Sequence, residues 1–253
     1  MTLVKPFRGL RPAAGIAHLV SSRPYDVLNT AEARAETGDN ERSFYHIIRP
    51  EINFPEGTDE HDPRVYPEAR RQLERFIAEG WIAQDERECY YLYAQTMNGH
   101  TQYGIALAAH VEDYNAGRIK KHELTRRDKE DDRVRHLTAT NAHIGSAFLA
   151  YRHNATLLAL IERIAKEEPL YDFVADVDGF RHTLWLIDGK ADIETITGEF
   201  GKMDALYIAD GHHRSAAAAR VCTDRAEANP AHTGREEYNY YLAVCFPAEQ
   251  LTI

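Results

Sequence analysis

The chain has 253 residues, 43% hydrophobic and 28% charged, and its 40 acidic and 30 basic side chains leave a net charge of −10. That balance suits a globular protein of one large or two small domains and disfavours a general nucleic-acid binder, for which only a local basic patch remains. Cys89, Cys222 and Cys245 are scattered and lack a CxxC pair, which argues against a disulfide scaffold or thiolate zinc site and fits a reducing cytoplasm.

The N-terminus, "MTLVKPFRGLRPAAG", lacks the apolar centre of a signal peptide, and nowhere do about 18 apolar residues run together. A cytoplasmic protein with no membrane partner is expected. Residues 1–60 are rich in turn formers, with one apolar run, "FYHIIRP", that reads as a strand ended by Pro50. "DPRVYPEARRQLERFIAEG" reads as a helix, with Pro67 in its first turn, Leu73, Phe76 and Ile77 on one face and Gly80 as the stop. "CYYLYAQTMNGHTQYGIALAAHV" is a predicted hairpin about Asn98-Gly99.

From Arg118 to His136 the chain carries eight Lys/Arg and five Asp/Glu, a local positive surplus in an acidic protein. Thr125-x-x-Asp128 has the form of a helix cap. Val134, Leu137, Asn141 and Ile144 recur at helical spacing and should face the core, with His136, Thr140 and His143 on another face. "SAFLAYR" is a predicted strand and "NATLLALIERIAKEEP" a helix stopped before Pro169. "LYDFVADVDGFRHTLWLID" is a second hairpin, turning at Asp178-Gly179, and "ADIETITGEF" is a short helix. "ALYIA" then reads as a buried strand, "HHRSAAAARVC" as an alanine-rich helix and "YNYYLAVCFP" as a last strand. The fold class expected is α+β (mixed α/β). The final "AEQLTI" carries no terminating signal, so a truncated chain is expected.

The densest chemistry lies in "IADGHHRSA", at a strand-to-helix junction. The first turn of a helix presents free N–H groups and the positive end of the helix dipole, which together bind anions. Gly211 and His212 would sit at that turn, and Arg214 offers a planar fork for phosphate or carboxylate. His212 and His213 can donate hydrogen bonds or carry a proton near neutral pH, and Asp210 can cap the helix, hold a tautomer or ligate a metal. Any one of these residues has an ordinary structural reading; four at one junction point to a phosphate site. Adjacent His212 and His213 diverge by about 100° on a helix and suit one zinc ion poorly.

The charged segment is the second candidate. Lys120, Lys121, Arg126 and Arg127 can attract phosphate, and Glu123 among them can act as a base held ionised by its cationic neighbours. On the residues alone the segment also reads as an ion-paired, solvated loop, and the same holds for Arg133, His136 and His143. Tyr25-Asp26 and Arg49 are accounted for by turn chemistry and strand capping. The chain contains none of the GxGxxG, GxxxxGK[ST], HExxH or GxSxG patterns.

"KPFRGLRP", "RPYDVL", "FYHIIRPEI", "GRIKKHELTRRDKEDDRVRHL" and "ADGHHRSAAA" occur in one order over nearly the whole chain and resemble the DUF1015 family, whose members continue past "FPAEQLTI". The DGHHR element more distantly resembles the phosphate motif of the ParB/sulfiredoxin superfamily, which includes free-serine kinases. This second resemblance implies a ParB/sulfiredoxin-like phosphate-binding region over 113–253, with an additional N-terminal α/β region over 1–112. It implies ATP or ADP and Mg2+ as cofactors and free L-serine as acceptor, with a homodimer admitted. By the same resemblance Glu123 of "IKKHE" is the catalytic carboxylate, acting with Asp210 and His213. Gly211, His212, His213, Arg214, Lys121 and Arg133 would hold phosphate or nucleotide, and Asp210 the metal. The alternatives are a ParB-like regulatory nucleotide-binding module and a phosphoserine phosphatase. The long N-terminal region is foreign to a minimal ParB-like domain, and no serine-carboxylate site is evident.

Overall fold

The computed structural model describes residues 3–251. In chain order the elements are β1 (Val4–Lys5), β2 (Leu10–Pro12), α1 (Ala17–Val20), α2 (Thr30–Thr37), α3 (Tyr45–Ile48), α4 (Val65–Ala78), β3 (Ile82–Gln84), β4 (Tyr90–Met97) and β5 (His100–His110). They continue with α5 (Val111–Asn115), β6 (Ile119–Lys120), α6 (Arg127–Thr140), β7 (Ala147–Tyr151), α7 (Ala155–Ile164), β8 (Tyr171–Val174) and β9 (Arg181–Ile187). The last four are α8 (Lys190–Gly201), β10 (Leu206–Asp210), α9 (His212–Ala228) and β11 (Tyr240–Pro247). The fold is mixed α/β, as the alternation of hairpins with strand–helix units requires.

A nine-stranded sheet runs β6-β10-β7-β11-β5-β4-β9-β8, with β1 beside β5; β2 and β3 form a small second sheet. The β6–β10 and β7–β11 pairs are parallel and the other pairs in the large sheet antiparallel. The β4–β5 hairpin turns at Asn98 (φ +50°) and Gly99 (φ +79°), both left-handed as a tight two-residue turn demands. The division expected after residue 112 falls inside α5, and β5 on one side of it and β11 on the other are neighbours in one sheet.

Alternation sorts the strand residues between two faces. Leu92, Ile105, Leu107, Leu149, Leu206 and Ile208 are fully or almost fully buried with Leu157, Ile161, Ile196 and Phe200 of α7 and α8 and the alanines of α9. Each such aliphatic side chain contributes about 1.5–3 kcal/mol. Tyr91 and Ala106 face the other way, into a smaller cluster. The N-terminal region has its own apolar clusters, bridged by Phe44 and Ile144. No helix among the described residues is long and apolar enough to cross a membrane.

Four local expectations are corrected. "FYHIIRP" is not a strand: Tyr45–Ile48 is helical, and Pro50 opens a 3-10 turn. Tyr45, Ile47 and Ile48 are buried at helical spacing, and α3 packs on α4. Ile77 is 47% exposed, so the buried face of α4 is Ala69, Leu73 and Phe76. No side chain caps α6 at Thr125, whose hydroxyl instead donates to Glu130. The fully buried stripe of α6 is the polar one, Asp132, His136 and Thr140, because this helix lies between α4 and α9 and has partners on both flanks. It ends at Asn141 (φ +52°), so Ile144 lies beyond it.

His136 Nε2–H donates to the Ile47 carbonyl at 2.9 Å and His143 Nε2–H to the Tyr240 carbonyl at 3.1 Å. Burial pushes their pKa values down to about 3 and about 4 from 6.5. A depressed pKa gives stability that is present above 6.5 and lost as pH falls, since the unfolded chain then takes up the proton first. At pH 5 each imidazole should cost about 2 kcal/mol relative to neutral pH. Urea unfolding at both pH values should show His136→Gln with a smaller pH loss than wild type by that amount; equal losses would refute the assignment.

Candidate functional site

β6 and β10 are parallel neighbours with Ile119 opposite Leu206 and Lys120 opposite Tyr207. That register carries His122 and Glu123 to the level where β10 ends at Asp210. Gly211 then takes φ +86°, and a Cβ there would lie 3.1 Å from Ala147 Cα, so both backbone conformation and space call for glycine. α9 starts at His212 with no side chain capping its N-terminus. Its first-turn N–H groups therefore have no side-chain acceptor, the arrangement that attracts an anion. Ser215 and Ala216–Ala219 are buried, and these small side chains let α9 pack closely on its neighbours.

His212 is only 3% exposed, and its Nδ1 is 3.0 Å from Glu123 Oε1. The His122 ring stands nearly perpendicular to it at 4.4 Å between centroids. Burial lowers the His212 pKa, and the Glu123 charge opposes that shift. The Nε2 of His212 and Nδ1 of His213 are buried without hydrogen-bond partners.

Arg214, the third residue of α9, is half-buried. It donates to the Ser146 carbonyl, and its Nη2 is 3.2 Å from Asp210 Oδ2 and 3.3 Å from Asp26 Oδ2. The Tyr25 ring contacts two guanidinium groups, with Arg133 3.8 Å and Arg214 5.7 Å from its centroid. Arg133 is also paired with Asp132. An open cleft of about 780 Å³ lies here. The segment 25–30, Arg49 and Glu60 form one wall; Arg126 and Lys129 of the α6 entrance and His213 of α9 complete it. Arg49 is held 2.9 Å from both Glu51 and Glu60, and Lys129 stands 3.9 Å from Glu60. The walls therefore mix cations with carboxylates, which suits a ligand bearing phosphate and ammonium groups.

The sequence model described as "Protein of unknown function (DUF1015)" matches residues 4–253. The chain belongs to the DUF1015 family. No curated protein matches it, and no solved structure does.

The DUF1015 match spans both walls of the cleft. In this family member the structure brings Glu123, Asp210, Gly211, His212, His213 and Arg214 to one junction, with Arg133 reaching the same Tyr25 ring as Arg214. Lys121 stands apart, its ammonium 3.6 Å above the Tyr114 ring. His136 and His143 are structural hydrogen-bond donors. Sequence reasoning gives Tyr25, Asp26 and Arg49 turn and capping roles and passes over Lys129 and Glu60. The available signal was a buried-type arginine before proline in "IIRPE", with acidic partners at Glu51 and Glu60.

Proposed function

We propose that this DUF1015 protein is a small-molecule phosphotransferase that moves the terminal phosphoryl group of ATP or ADP to the hydroxyl of free L-serine. The observation that carries the reading is the meeting, at one strand-to-helix junction, of an uncapped helix N-terminus, Arg214 and the Glu123 carboxylate, with His213 of the same turn lining the open cleft. The choice of serine rests on the resemblance of DGHHR to the free-serine kinase motif.

In this reading the first-turn amides of α9, His213 and Arg214 hold the donor's phosphate oxygens. Glu123 orients the acceptor hydroxyl and takes its proton as the hydroxyl oxygen bonds to phosphorus. The bond from phosphorus to the bridging oxygen breaks, and that electron pair leaves with the nucleotide. Such transfers need positioning and charge neutralisation more than covalent help from the protein. The Asp210 carboxylate, 58% exposed beside Arg214, offers the hard oxygen donor that Mg2+ favours. When bound there with phosphate oxygens, Mg2+ would neutralise part of the donor's charge.

The test is incubation with L-serine, Mg2+ and either ATP or ADP, followed by detection of O-phospho-L-serine. Phosphoserine formed with one donor supports the kinase. Phosphate release from phosphoserine alone would favour the phosphatase, and nucleotide binding without turnover on any small hydroxyl compound would favour the regulatory module.

A further inference from the structure

We propose that His122, Glu123 and His212 form a binding site for one divalent transition-metal ion of the Zn2+, Co2+ or Mn2+ type. One ligand atom from each residue lies within 4.8 Å of the other two. Metal bonds of about 2.0–2.2 Å place neighbouring ligand atoms roughly 3.0–3.5 Å apart. His212 Nδ1 and Glu123 Oε1 already stand at 3.0 Å. His122 and Glu123 are exposed, so small side-chain rotations close the remaining gap, while buried His212 is fixed by the start of α9.

The donor set decides the ion: imidazole nitrogens select zinc, cobalt and their neighbours, whereas Mg2+ and Ca2+ favour oxygen. Three protein ligands leave coordination positions open, as in metal sites that engage a substrate. The metal site goes beyond the phosphotransferase reading and stands without it. The two are compatible, since a carboxylate that ligates through one oxygen keeps the other for the acceptor hydroxyl.

The experiment is titration of the untagged, chelator-treated full chain with Co2+ alone, followed by visible absorption and calorimetry, with neither nucleotide nor serine present. One equivalent should bind with new visible bands, Zn2+ should displace it, and excess Mg2+ should not. Even outer-shell partners of a metal are worth about 10–100-fold in affinity, so His122→Ala and Glu123→Gln should each weaken Co2+ by tenfold or more. His122→Ala removes an exposed side chain, so thermal unfolding should match wild type. Absence of stoichiometric binding, or unchanged affinity in a folded His122→Ala, would overturn the site. Because no donor or acceptor is used, this result is separate from success or failure of the kinase assay.

Discussion

Replacing Arg214 by alanine is expected to lower phosphoryl transfer by about a thousandfold, the scale on which a single arginine stabilises the charge of a transferring phosphoryl group. The position of the side chain suits that role. It belongs to the first turn of α9, beside the uncapped amides; Nη1 is anchored on the Ser146 carbonyl, while Nη2 is held only at 3.2–3.4 Å by Asp210 and Asp26. Contacts of that length to half-exposed carboxylates are weak enough for a phosphate to replace them. Arg214→Lys should recover only a small part of the activity, because a point charge cannot supply the planar fork. Steady-state assays alongside thermal unfolding separate this from misfolding. A folded Arg214→Ala retaining more than about a tenth of wild-type turnover would contradict the role.

Glu123→Gln should cost about a hundredfold to ten-thousandfold in kcat, the range for a positioned proton acceptor. The amide keeps the size of the carboxylate, so nucleotide binding should survive while turnover falls. That split between binding and kcat distinguishes a catalytic carboxylate from one that merely anchors His212, for which both quantities would fall together. A near-normal kcat in Glu123→Gln would remove this residue from the mechanism.

Much of the frame is readable without coordinates. Asn98-Gly99 marks the hairpin because few residue pairs accept two left-handed positions, and the alanine run of α9 announces close packing. The strand-to-helix junction at Gly211 is visible for the same local reason. What escapes are long-range or two-sided effects. Tyr45–Ile48 is too short to display a helical period, so its apolar run reads equally well as a strand. α6 buries a polar stripe because α4 and α9 both pack on it, and periodicity assumes a single core. Asp26 and Arg214 are 188 positions apart, and nothing local in "RPYDVL" announces that it will form a wall of the site. The approach of "KKHE" to "DGHH" depends on the parallel register of β6 and β10, which side-chain pattern does not encode. Lys121 illustrates the converse, since proximity in sequence to Glu123 does not decide its direction, and it packs on Tyr114.

Backbone amide NMR of the isotope-labelled chain during an ADP titration in the presence of Mg2+ addresses the phosphate site itself. The account predicts that the Gly211, His212 and His213 amides show the largest downfield shifts, saturating together with the Arg214 side-chain signals. Saturable ADP binding that leaves those three amides unmoved while another surface responds would contradict it.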